Sequence, residues 1–178
     1  MRIVRRIVAA IALSLFAIAV GQAQESCKRD LEPQGGFSLC VPDGWSLESK
    51  EGQKFKMLFA PAGETFTANI NMKDDDSSQA LTSYVGDSIK TILSNPPNIA
   101  ATSIKLVGWT DFATASGLAG NKAVFETEYK GLLIRTIQYY LDDGRNRKFI
   151  VTGTCLVKDK DAFDSVFDRA AKSFRVGN

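Results

Sequence analysis

Apolar positions along the chain fall into two rhythms, one of period two and one of period 3.6, and their order sketches a fold. Phe37 to Val41 alternates large apolar and small residues, the signature of a strand. Pro42-Asp43-Gly44-Trp45 closes it with turn residues. Residues 54–60 and 65–72 are two further strand-like runs, joined by the Pro61 to Glu64 loop. Asp74, Asp75, Asp76, Ser77 and Ser78 then stand where a helix should open, because Leu81, Val85, Ile89, Ile92 and Leu93 recur at helical spacing. Asn95-Pro96-Pro97 stops that helix. Period two returns over residues 103–110, 122–129, 132–141 and 148–157, separated by short turns at 116–121, 130–131 and 142–144. Phe163, Val166, Phe167, Ala170 and Phe174 form a last helical stripe, begun by Asp159 or Asp161.

Strands joined by only a few residues must run antiparallel, because parallel neighbours need a long crossover. The order is therefore βββαββββα. It predicts an α+β domain with a six- to seven-stranded antiparallel sheet sandwiched between helices. No repeat, low-complexity tract or linker interrupts it, and 178 residues fit one domain.

Ahead of this pattern lies a different one. Arg2, Arg5 and Arg6 precede the run from Ile7 to Val20, apolar except for Ser14, and Gly21-Gln22-Ala23 follows. A basic start, a short apolar stretch and small residues before a cut after Ala23 have the layout of a signal peptide. Fourteen helical residues reach about 21 Å, short of a ~30 Å hydrocarbon core. Residues 1–23 are thus expected to be cleaved and residues 24–178 to be the exported domain, periplasmic or secreted, with no membrane span.

Removing the leader changes the charge. Three of the 22 Lys and Arg lie in it, leaving 19 against 20 Asp and Glu, a net side-chain charge of −1. No basic stripe interleaved with aromatics remains, which argues against a nucleic-acid partner. Export permits a disulfide. Cys27, Cys40 and Cys155 allow three pairings; Cys27 with Cys40 closes the shortest loop and is the favoured one, leaving Cys155 as a small buried hydrophobe.

At this point a resemblance becomes visible. The run Gly36-Phe37-Ser38-Leu39-Cys40-Val41-Pro42-Asp43-Gly44-Trp45 resembles the opening motif of the PsbP-like superfamily. Phe59-Ala60-Pro61, Asn69-Ile70-Asn71-Met72, the Gly-rich turn at 117–120, Ile150-Val151-Thr152-Gly153-Thr154 and Ser173-Phe174 are similar to its later motifs, in order, over residues 36–175. The resemblance extends to bacterial DcrB-like proteins and a Ran-binding import factor. It implies an antiparallel sheet between helices and mostly non-enzymatic accessory or binding roles, with no shared catalytic motif. Fold of this kind does not fix function.

The chemistry that is absent narrows the field. The chain has no histidine, hence no Ser-His-Asp relay, no Cys-His pair and no histidine zinc helix. Four groups of residues remain as candidates. Asp74, Asp75 and Asp76 could offer oxygens to a hard cation in a metal-responsive protein, although the ordinary role of such a run is to open a helix. Ser116 to Lys122 carries a G-x-x-G, but between strands and with the wrong spacing for a phosphate loop, so it reads as a hairpin turn. Glu126, Glu128 and Arg135 are charges embedded in apolar strands. The two-residue Lys130-Gly131 turn sets Glu126 opposite Arg135, either as a cross-strand ion pair or as the charged floor of a ligand or partner groove. Paired glutamates also raise the alternative of a small carboxylate-based enzyme. Trp45, Trp109, Tyr139 and Tyr140 could line a binding surface, but Trp45 after its Gly-Trp turn reads as core and strand aromatics usually pack; Tyr139 and Tyr140 must point to opposite sheet faces. The sequence as a whole favours an exported, non-catalytic accessory protein of the cell envelope. It would bind a protein partner or a small ligand and need no cofactor.

Overall fold

A computed structural model describes residues 27–94 and 101–177. The expected leader and the Asn95-Pro96-Pro97 stop lie outside these described residues. The elements are β1 (Arg29–Glu32), β2 (Phe37–Cys40), β3 (Ser46–Glu48), β4 (Met57–Phe59), β5 (Asn69–Asp76), α1 (Leu81–Ser94), β6 (Ala101–Ala113), β7 (Ala119–Tyr129), β8 (Leu132–Asp142), β9 (Arg147–Leu156), α2 (Lys160–Lys172) and β10 (Arg175–Val176). Seven of the strands form one sheet in the order β3-β4-β5-β9-β8-β7-β6, every pair antiparallel. The expected sheet is therefore present with seven strands. A second, three-stranded sheet has the order β1-β2-β10.

Strand alternation sends apolar side chains to both faces of the large sheet, and each face has its own helix. On one face Ile70, Met72, Ile137, Tyr139, Phe149 and Val151 pack with Phe167, Ala170 and Ala171 of α2. Phe37 and Leu39 of the small sheet close the same core. On the other face Tyr84, Val85 and Ile89 of α1 cover Ala123, Phe125, Tyr140 and Ile150. Tyr139 and Tyr140 do point to opposite faces, and both are buried. α2 approaches the sheet tightly at Gly153, where a β-carbon would lie 2.4 Å from the Phe167 ring.

Two local expectations are corrected. Asp74, Asp75 and Asp76 do not open a helix. They are the last three residues of β5, opposite Phe149, Lys148 and Arg147 of β9, and α1 starts only at Leu81 with no acidic residue in its first turn. Cations brought from another strand make an acidic run acceptable in the sheet, and no local rule anticipates that. The Phe37 to Val41 strand does not join the large sheet either. It is the centre of the small one, flanked by β1 and by β10 after the last helix. The other helix start agrees with expectation: Asp159 is the N-cap residue of α2 and Asp161 lies in its first turn, although neither caps through a side-chain hydrogen bond.

Candidate functional site

The β7–β8 hairpin positions the central charges. Its turn residues Lys130 and Gly131 have φ of 49° and 78°, the left-handed pair that a two-residue hairpin needs. The resulting register sets Glu126 opposite Arg135 and Glu128 opposite Leu133. Arg135 Nη1 donates to Glu126 Oε1 at 3.1 Å. Its other nitrogens reach α2, where Nε and Nη2 donate to the two oxygens of Asp164 at 2.9 and 2.8 Å. This fork-to-carboxylate geometry is the strong form of an ion pair. One turn later on α2, Asp168 accepts from Lys122 Nζ and from Tyr139 Oη, both at 2.6 Å.

Glu126, Arg135 and Asp164 thus brace α2 to the sheet, together with Lys122, Tyr139 and Asp168. The guanidinium of Arg135 is held charged above its ordinary pKa, first by its hydrogen bond to Asp164. Burial, reinforced by Asp168, drives the Tyr139 phenol far above its ordinary value. Beneath them Cys155 is fully buried, and burial pushes its thiol up to about 12. A buried neutral thiol is a poor nucleophile. Glu128 is exposed at the end of the hairpin. Asp164 and Asp168 were not singled out from the sequence. Their one signal was an acidic i, i+4 pair on a helix with an apolar stripe, a pattern common on solvated faces.

The acidic run divides by strand alternation. Asp74, on the α2 face, pairs with Lys54 at 2.7 Å and with Arg147 at 2.5 Å. Burial works to raise the Asp74 pKa, but the hydrogen bonds from Lys54 and Arg147 outweigh it and hold it below the usual carboxylate range. Asp75 accepts from Tyr84 Oη at 3.0 Å on the opposite face, and Asp76 is exposed. Among the described residues no group of three or more Cys, Asp or Glu gathers around a common point in a way that could hold a metal ion.

The G-x-x-G segment is a hairpin turn between β6 and β7, with Gly117 at φ 87° and Leu118 N–H bonded to Thr114 Oγ1. Of the tryptophans, Trp45 packs edge-on against Phe163 and Phe167 of α2, whereas Trp109 is 40% exposed on the edge strand β6. Two surface clefts lie away from the Arg135 brace. One, of about 440 Å³, lies between the 41–45 turn and α2, with Cys27, Cys40, Trp45 and Arg169 in its wall. The other, of about 490 Å³, is an open depression by Phe59, Lys50 and Pro61. Cys27 and Cys40 form a disulfide with their α-carbons 5.5 Å apart, beside the β1–β2 pairing. That is the expected pair, and Cys155 is the free cysteine.

The fold has counterparts among solved structures. The cyanobacterial PsbP of Synechocystis sp. PCC 6803 superposes with a TM-score of 0.63 at 14% identity, over 88% of this chain and 95% of that one. LpqN, described as involved in cell envelope biogenesis of Mycobacterium tuberculosis, gives 0.61 at 12% identity over 88% of each chain. A Pseudomonas aeruginosa protein of unknown function, described as a putative regulator, gives 0.58 at 17% identity over 83% of this chain and 94% of its own. No protein-family model and no curated protein sequence matches the chain. The protein has the PsbP-like fold. At these identities the likeness concerns the fold alone.

Proposed function

We propose that the protein is an exported, non-catalytic accessory protein of the bacterial cell envelope, acting by binding a protein partner or a small ligand. The observation that carries this reading is how its reactive groups are spent. Glu126, one of the two glutamates of the enzyme alternative, is tied with Arg135 and Asp164 into a brace that holds α2 on the sheet. Their hydrogen bonds run to one another and to α2, and neither surface cleft is lined by them. The Cys27–Cys40 bridge, directly after a signal-like leader, supports an extracytoplasmic location. The structural likeness to LpqN and to cyanobacterial PsbP points the same way. The 440 Å³ cleft beside the disulfide is the candidate place for a small ligand.

The test combines fractionation with thiol counting. Expected is periplasmic protein beginning near Gln24 and soluble after a high-salt wash, with one titratable thiol after unfolding without reductant. Native protein should expose none, because Cys155 is buried. Three thiols in unfolded protein would remove the export argument. A hydrolytic turnover lost in Glu126→Gln or Glu128→Gln, but kept in Asp75→Asn, would replace the binding reading by the carboxylate enzyme.

A further inference from the structure

The small sheet presents an outer face that the core does not use. Leu39 and Phe37 of β2 point inward and are fully buried, so Ser38 and Cys40 point outward. The register places Arg29 opposite Cys40, Leu31 opposite Ser38, and Arg175 opposite Ser38 on the other side. Arg29, Leu31 and Arg175 therefore share the outer face, while Asp30 and Glu32 alternate to the inner one. Leu31 is 60% exposed, the highest value among the exposed large apolar residues described. Arg29 and Arg175 are exposed as well, and no described ion pair involves either. Arg29 Nη1 donates to Ser38 Oγ at 3.2 Å and to the Ser173 carbonyl at 2.9 Å, which fixes its guanidinium over the strand. Burial, and after it the positive charge of Arg175, lowers the Arg29 pKa. Two cations thus flank β2 on this face, one on each outer strand, with no described ion pair to either. A third, Arg169, stands exposed in the wall of the adjoining cleft, which shares Cys40 with this face and carries one carboxylate, Asp43.

We propose that the outer face of the β1-β2-β10 sheet, with Arg29, Arg169, Arg175 and Leu31, docks the protein on the anionic phospholipid surface of an envelope membrane. Uncompensated like charges are relieved by an anion, and several guanidiniums on one face suit an array of phosphates better than one soluble ion. The exposed Leu31, beside Arg29 on β1, favours a surface with an apolar layer beneath its charges.

The proposal is tested on purified protein by co-sedimentation with vesicles of phosphatidylcholine, with and without one third phosphatidylglycerol. This reads a property of the folded domain, so its failure is distinct from failure of the export and binding reading. Expected is binding to the anionic vesicles only, reversed by high salt. Neutralising two cations in Arg169→Gln/Arg175→Gln should weaken it about thirtyfold, at roughly fivefold per cation near the surface. Leu31→Ser should weaken it on the same vesicles. Neither Arg169 nor Arg175 has a described side-chain hydrogen bond, and circular dichroism checks that the double variant is folded. Equal binding to neutral vesicles, no binding to anionic ones, or full binding by the double variant would overturn the proposal. So would release by millimolar glycerol phosphate, which would assign a soluble anion site. Retention on polyglutamate without vesicle binding would assign an acidic protein partner instead.

Discussion

Replacing Arg135 by Met is the sharpest perturbation of the fold. The side chain of Arg135 is 12% exposed, and the Glu126 and Asp164 side chains it neutralises are 30% and 31% exposed. Removing one partner of a fully buried pair costs about 3–5 kcal/mol, and breaking an exposed pair about 0–1 kcal/mol. Arg135 itself lies near the buried limit, but both carboxylates can turn toward water once it is gone. The expected loss is therefore about 2–3 kcal/mol, including two like charges left facing each other. The geometry also ranks the partners. Asp164→Asn breaks a bidentate contact and should cost about 2 kcal/mol, while Glu126→Gln breaks a single 3.1 Å bond and should cost about 1 kcal/mol or less. Arg135→Lys should fall between Met and wild type, since it keeps the charge and loses the fork. Urea unfolding reads this directly. With a slope of roughly 2 kcal/mol/M, Arg135→Met should lower the midpoint by about 1–1.5 M at unchanged slope. A loss below about 0.5 kcal/mol would refute the brace. So would Glu126→Gln proving costlier than Asp164→Asn.

Two further outcomes follow from the same packing. Gly153→Ala sets a β-carbon into the Phe167 ring, so it should destabilise by about 1–3 kcal/mol despite adding only a methyl group; a thermal melt at or above the wild-type midpoint would contradict the close approach of α2 to β9. Asp74→Asn should cost about 2 kcal/mol at neutral pH. Because the folded Asp74 pKa is depressed, its contribution is present above the ordinary carboxylate pKa and lost as pH falls through the folded value. The gap between wild type and variant in urea melts should therefore close as the pH is taken below the ordinary carboxylate range.

Much of this protein is legible where the cause is local. Alternation along residues 132–141 fixes that Tyr139 and Tyr140 leave on opposite faces, whatever then covers them. A two-residue turn at Lys130-Gly131 leaves one register, and that register places Arg135 against Glu126. Two apolar helical stripes imply two covered sheet faces, and the signal-like leader with its following cysteines implies a bridge.

What depends on distant partners is not legible in this way. Asp74 to Asp76 look like a helix start, because the cations that admit them to a strand come from Lys54 and from β9, over seventy residues on. The third member of the Arg135 brace, Asp164, is 29 residues away and is selected only by how α2 rotates on the sheet. The small sheet joins residues 29–32, 37–40 and 175–176, the two ends of the domain, and its four- and two-residue outer strands carry too little periodicity to announce themselves. The amino-acid pattern determines which face each side chain takes within its own strand or helix, because backbone geometry sets that residue by residue. Only the tertiary structure decides which charges meet across elements and which, like Arg29 and Arg175, are left facing solvent, because that depends on how whole elements pack.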